Sequence, residues 1–256
     1  MKKIIFITLF LFIIPGVLSA QVSDRERFFV KANSYYSSEQ YDLALDFYKQ
    51  IENSGLVSFE LYYNIGNCYY RLGQIGKAIQ YWEKAKQLNP RDPQVNHNLE
   101  LARLQITDKM VLPEPFFLIQ AWWDLRDILG VSRSFRLSGY FLMITLLFVF
   151  IPRVIWKKRA LKRVANPLII FFSILFILSI SLFFDVNHYV KNHQFGILLS
   201  KNVEVKSAPH ESSNTLFMLH EGSKVQILDQ AGSDWYEIAY SEDKRGWVKK
   251  KQIGEI

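Results

Sequence analysis

Residues 137–184 read LSGYFLMITLLFVFIPRVIW (137–156), KKRALKRVAN (157–166) and PLIIFFSILFILSISLFF (167–184). The first run is apolar almost to Pro152, and the second carries no charge. Helices rising about 1.5 Å per residue would reach roughly 30 Å and 27 Å, close to the thickness of a hydrocarbon core. Only a helix satisfies its own backbone hydrogen bonds in lipid, so both runs are predicted to be transmembrane helices. The loop from Arg153 to Asn166 carries Arg153, Lys157, Lys158, Arg159, Lys162 and Arg163 and no acidic residue. Short loops of this kind stay cytoplasmic, which puts both long flanks on the other side.

The charge pattern supports the same topology. The chain has 256 residues, a formal charge of +7 and a single cysteine, Cys68. The loop supplies six positive charges and Lys2 with Lys3 two more, leaving the remainder at −1. The basic balance is therefore a topology signal, and no nucleic-acid partner is expected. One cysteine excludes an intrachain disulfide, so stability must come from packing. Residues 1–20 (MKKIIFITLFLFIIPGVLSA) combine a two-lysine start, an apolar stretch and the helix-breaking Pro15-Gly16. They read as a secretory signal peptide.

Residues 23–110 contain an internal repeat. Phe28, Ala32, Tyr35, Tyr41, Ala44 and Tyr48 align with Tyr62, Gly66, Tyr69, Ile75, Ala78 and Trp82, each pair offset by 34. In the second copy Gly66 and Ala78 stand where two helices touch, Tyr69 and Trp82 fill between them, and Pro90 closes the unit. This copy resembles the tetratricopeptide repeat (TPR). A third copy starts over 92–107 and is expected to form a solvating capping helix. The resemblance implies that a partner peptide or helix is held on the face of the first helices, here carrying Glu26, Phe29, Asn33, Tyr36, Glu60, Tyr63, Asn67, Tyr70 and Arg71. Capture of a C-terminal carboxylate is not expected. Asn33 and Asn64 suit it, but Phe29, Gln94 and Asn98 stand where basic residues are wanted.

Residues 111–136 link the array to the first span. Pro113 and Pro115 break the helix, and Phe116, Phe117, Trp122 and Trp123 follow. Either an interfacial helix on the bilayer or a flap over the last repeat helix fits them. A spacer is expected after Phe184, then a β domain over 197–256 of about five short strands. Its order of features resembles a bacterial SH3-like domain: Val203-x-Val205 ahead of Pro209, a turn at Leu219–Gly222, the run Asp234-Trp235-Tyr236-Glu237-Ile238, then Gly246-Trp247-Val248. Trp235 and Trp247 are expected in the core. Eight basic residues face nine acidic ones between 197 and 256, so nothing steers the domain towards an anionic cell wall.

No catalytic constellation appears. The five histidines, His97, His188, His193, His210 and His220, lack metal-site spacing, and neither a phosphate loop nor a Gly-x-Ser-x-Gly elbow is present. No catalytic residue, metal or cofactor is expected. The predicted fold is a multi-domain membrane protein: an all-α TPR solenoid, a two-helix transmembrane hairpin and a small all-β SH3-like barrel. This plan resembles the BatE-like proteins of aerotolerance operons. That family implies a scaffold in the bacterial inner membrane, its soluble parts periplasmic, whose partners are other Bat-type membrane proteins. A cell-wall protein that binds peptidoglycan through the SH3-like domain is the alternative.

Overall fold

The 34-residue repeat folds as paired short helices because its apolar residues recur at helical spacing. In the computed structural model, which describes residues 24–108, 116–154, 159–192, 194–241 and 243–256, α1 (24–37) is followed by α2 (Tyr41–Asn53), α3 (Phe59–Arg71), α4 (Ile75–Leu88) and α5 (Pro93–Gln105). Helix α3 starts where the Ser58 hydroxyl accepts from Leu61 N, and it buries Leu61, Ile65, Cys68 and Tyr69 along one side. Helix α5 starts at Asp92, whose carboxylate accepts from Gln94 N and Val95 N, with Pro93 in the first turn. The two helix–helix turns are built alike. Gln40 N donates to Tyr35 O and Gln74 N to Tyr69 O, each at 2.9 Å. Both turns need one left-handed residue, Gly73 (φ 74°) in the second repeat and Glu39 (φ 60°) in the first.

The repeat offset also governs the core. Ala32 and Tyr48 hold the equivalent places in the first repeat to Gly66 and Trp82 in the second, and all four are buried in one core. A Cβ on Gly66 would lie 2.5 Å from Trp82 Cδ1 and 2.6 Å from its Nε1. The larger ring thus requires the smaller helix residue. Cys68 is buried in the same core, and burial pushes its thiol up to about 12, so it is a packing residue rather than a nucleophile.

The C-terminal part is one antiparallel sheet ordered β3-β2-β6-β5-β4-β1-β7. Its strands are β1 (Gln194–Leu198), β2 (Asn202–Lys206), β3 (Thr215–His220), β4 (Lys224–Ala231), β5 (Trp235–Ser241), β6 (Lys244–Lys249) and β7 (Ile253–Glu255). Seven strands replace the five expected, and the domain starts at Gln194 rather than at 197. Alternation along β5 and β6 corrects the expected core: Tyr236, Ile238 and Val248 point inward, leaving Trp235 and Trp247 half-exposed on the other face. There they are diagonal neighbours, since Trp235 pairs with Lys249 and Glu237 with Trp247.

The repeats and the sheet are not two separate domains. Residues up to Lys109 and from Phe195 onward form one compact unit, and Met110–Gln194 forms the other. Ile197 of β1 is fully buried in the repeat core, and Ile256 packs against it.

The second unit is a hairpin of α6 (Phe117–Val154) and α7 (Arg159–Asn192). Both contain stretches long and apolar enough to cross a membrane, Phe117–Phe150 and Ala165–Val190, with mean hydropathy 1.3 and 2.6. Buried Ser134, Ser138 and Ser179 lie along them. Their hydroxyls donate to carbonyls of their own helix, so none of the three is left unmet. Most of the basic 157–166 segment is helical, because α7 begins at Arg159 in a run of good helix formers. The spacer expected after Phe184 is also helix, with Val186 buried one turn beyond Leu182. The signal peptide, the Pro113 and Pro115 break and His193 lie outside the described residues.

Candidate functional site

The first helices of the repeats line a groove of about 310 Å³, walled by Tyr36 from α1, Tyr63, Asn67, Tyr70 and Arg71 from α3, Trp82 from α4, and Asn98 and Leu101 from α5. Of the nine residues placed on the partner-binding face from sequence, Tyr36, Tyr63, Asn67, Tyr70 and Arg71 share one cavity, and Glu26 and Glu60 stand outside its lining. Phe29 and Asn33 do not line it. Phe29 packs edge-on against Tyr48, and the Asn33 side-chain oxygen accepts from the Tyr48 hydroxyl.

Asn67 has a structural task besides its place in the groove. Its Oδ1 accepts from Trp82 Nε1 at 3.0 Å and from Asn98 Nδ2 at 3.3 Å. This repeats the Tyr48–Asn33 bond one register on. Removing the Asn67 amide would orphan a buried indole N–H, at a cost of about 1–3 kcal/mol. Arg71 is exposed at the rim, its guanidinium 5.9 Å over the Tyr41 ring. A hydrogen bond to Tyr36 raises its already high pKa, so it stays charged. Tyr70 Oη accepts from Gln105 at 2.9 Å, and its ring is tilted against Trp82 at 5.4 Å. The groove therefore offers aromatic faces, amides and one cation, a lining suited to holding a polypeptide segment.

Sequence reasoning did not place Trp82 or Leu101 in the groove, and took Asn98 only as a residue standing where a basic one was wanted. The signal was present: Asn98 and Leu101 stand 34 residues after Asn64 and Asn67. The register carried one step further locates both. The expected capping helix is not purely solvating either, since α5 exposes Leu101 and Leu104.

A second constellation, invisible in sequence, joins the repeats to the sheet along one side of α4. A Cβ on Gly76 would lie 2.6 Å from Leu198 O, and Gly76 N donates to Glu221 at 2.8 Å. Gln74 makes no side-chain cap, so Glu221, 145 residues away, caps α4 where a carboxylate suits the helix dipole. Gln80 donates to Glu255 O. One turn on, Glu83 is only 6% exposed and is bound by Lys224 at 2.9 Å and Arg103 at 3.1 Å. Burial alone would raise its pKa, but the two cations more than reverse that and hold the carboxyl below 4.5. Beyond α5, Asp108 accepts from His220 N at 2.6 Å and Ser223 Oγ at 2.7 Å, and it pairs with His220 Nδ1 at 3.0 Å. Here too burial raises the carboxyl, and the hydrogen bonds from Ser223 and His220 pull it below 3.8.

Residues 59–92 match the tetratricopeptide repeat family, and residues 201–253 match the bacterial SH3 domain family. No curated protein matches the chain. The protein thus carries a TPR-type helical repeat and a bacterial SH3-type sheet. It joins them with two helices long and apolar enough to cross a membrane.

Proposed function

We propose that the protein is a non-catalytic, membrane-anchored scaffold that holds a segment of a partner protein in the groove of its repeats. The observation that carries this reading is the clustering of Tyr36, Tyr63, Tyr70 and Arg71 on the first-helix face. Anchoring is supported by the two apolar helices, and the extracytoplasmic side by the basic 157–166 segment. That the repeats and the sheet belong to one compact unit supports an even number of spans between them. The likeness of the whole plan to BatE-like proteins supplies the rest: a periplasmic face on a bacterial inner membrane, other Bat-type membrane proteins as partners, and a role in aerotolerance.

The test is a photo-crosslinking amino acid at Leu101, on the groove, against one at exposed Val57, in native membranes. The scaffold reading expects a Bat-type membrane protein crosslinked from position 101 and lost with Arg71→Glu. Equal yields from both positions would move the binding surface elsewhere.

The half-exposed Trp235 and Trp247 favour a second reading, peptidoglycan binding on the outer face of the sheet, where sugar rings stack on aromatic faces. Expected in the core, both lie instead on the outer face of the sheet, partly open to a stacked ring. Sedimentation of the full-length protein with purified peptidoglycan, abolished by Trp235→Ala with Trp247→Ala, would establish it. No sedimentation of the unaltered protein would remove it.

A further inference from the structure

Helix α6 is broken at Gly130, whose φ of 57° and ψ of −179° fall in a region essentially reserved for glycine. After the break α6 and α7 run in opposite directions: Phe135 lies beside Phe183 and Phe148 beside Phe172, ring centroids 5.4 and 5.6 Å apart. Before it the sense is reversed. Trp122 Nε1 donates to Asp185 at 3.0 Å, and the Arg126 guanidinium lies 3.6 Å over the Tyr189 ring. Four residues forward on α6 here is four residues forward on α7. A straight antiparallel continuation would carry Trp122 more than ~15 Å past Asp185, at about 1.5 Å per residue. Residues 117–129 therefore fold back along α7 as an arm.

The arm has distinct sides. Trp122, Arg126 and Leu129 are half-buried, the first two against α7. Gln120, Asp124 and Asp127, at helical spacing, make an exposed polar ridge, with Gln120 donating to Asp124 at 2.9 Å. At its tip, furthest from Gly130, Phe116, Phe117, Leu118 and Ile119 are all exposed, Phe117 by 67%. The arm descends from Gly130 past Asp185, where the apolar run of α7 has just ended and Phe184 is exposed too.

We propose that this arm is a membrane-surface element. Its Phe116–Ile119 tip is lodged at the acyl–headgroup boundary of the leaflet in which the apolar run of α7 ends, and its Asp124 and Asp127 ridge stays among headgroups and water. The occupant of the exposed face is lipid, because that face continues the apolar surface of the hairpin. The arm's charges lie on the exposed Asp124 and Asp127 ridge or, at Arg126, are paired with Asp127 and held against Tyr189. Trp122 and Arg126, anchored on Asp185 and Tyr189, set the depth. The inference rests on the membrane-anchored reading above.

Spin labels test it in the full chain, reconstituted into phosphatidylethanolamine–phosphatidylglycerol vesicles, with single cysteines Ile119→Cys, Asp124→Cys, Val57→Cys and Ile174→Cys. Cys68 is buried and stays unlabelled. Molecular oxygen reports lipid contact, and a nickel chelate reports water. The label at 119 should be oxygen-accessible and lose nickel accessibility, as at 174 in α7, while 124 and 57 remain open to nickel. Nickel access at 119 equal to that at 57 overturns the proposal. So does shielding from both probes, which would mean a protein cover. Nickel access at 174 would instead sink the membrane reading itself, and the arm with it.

Discussion

Gly66→Ala should destabilise the repeats although alanine is the better helix former. In an open helix the exchange would gain about 1 kcal/mol. Here the new methyl meets the Trp82 ring at 2.5 and 2.6 Å. That ring is 2% exposed and held by its bond to Asn67, so it has no room to withdraw. Overpacking costs about 1–3 kcal/mol, and a rigid, hydrogen-bonded ring belongs at the upper end. The net loss expected is about 1–2 kcal/mol, or roughly 3–6 °C in Tm for a unit of this size. The first repeat contains the compensated pair, Ala32 with Tyr48, whose hydroxyl reaches Asn33 as the Trp82 indole reaches Asn67. Trp82→Tyr should therefore be less harmful in the Gly66→Ala background than alone, with a coupling of about 1 kcal/mol or more. Urea unfolding of the purified full-length protein, followed by near-ultraviolet circular dichroism, measures all four states. If Gly66→Ala is neutral or stabilising, or if the two changes simply add, the complementary packing of ring and helix residue is wrong.

Glu39→Gly should stabilise by about 0.5–1 kcal/mol, since a left-handed non-glycine residue costs about 1–2 kcal/mol and the added freedom of the unfolded chain returns part of that; an unchanged urea midpoint would count against strain in this turn. The junction between repeats and sheet should be acid-sensitive. Glu83 and Asp108 have folded pKa values below their ordinary 4.5 and 3.8, so their stabilisation is complete above those values and lost as pH falls through the folded ones. Tm should hold from pH 7 to about 5 and drop below that, and Glu83→Gln with Asp108→Asn should lower Tm at pH 7 while flattening the acid limb; parallel acid limbs would place the titrating groups elsewhere. Glu221→Gln, which weakens the carboxylate cap on α4, should cost about 0.3–1 kcal/mol, read from the same urea curves.

Much of this architecture is local in origin and therefore legible along the chain. A 34-residue register determines which residues face each other within the repeats, because each helix pair meets only its neighbours. That is why Tyr36, Tyr63, Tyr70 and Arg71 fall on one face by register alone, and why the same register leads on to Asn98 and Leu101. Apolar length similarly makes the two hairpin helices legible, since each is long and apolar enough to cross a membrane.

Contacts between distant segments carry no such period. Glu83 reads as one more solvated helix glutamate until Lys224 arrives 141 residues later, and Gly76 reads as a weak helix position until the Leu198 carbonyl fills the space its side chain would need. Trp235 and Trp247 fell on the wrong face because a strand displays both faces with equal regularity, and only the packed sheet says which is inward. The fold-back at Gly130 is a single φ among many helical ones. Repeats, hairpin and groove face are written along the chain, because each is set by sequence neighbours or by the solvent. The union of repeats and sheet in one body, and the reversal of the arm, come only with folding, because both depend on surfaces that meet after the local elements have formed.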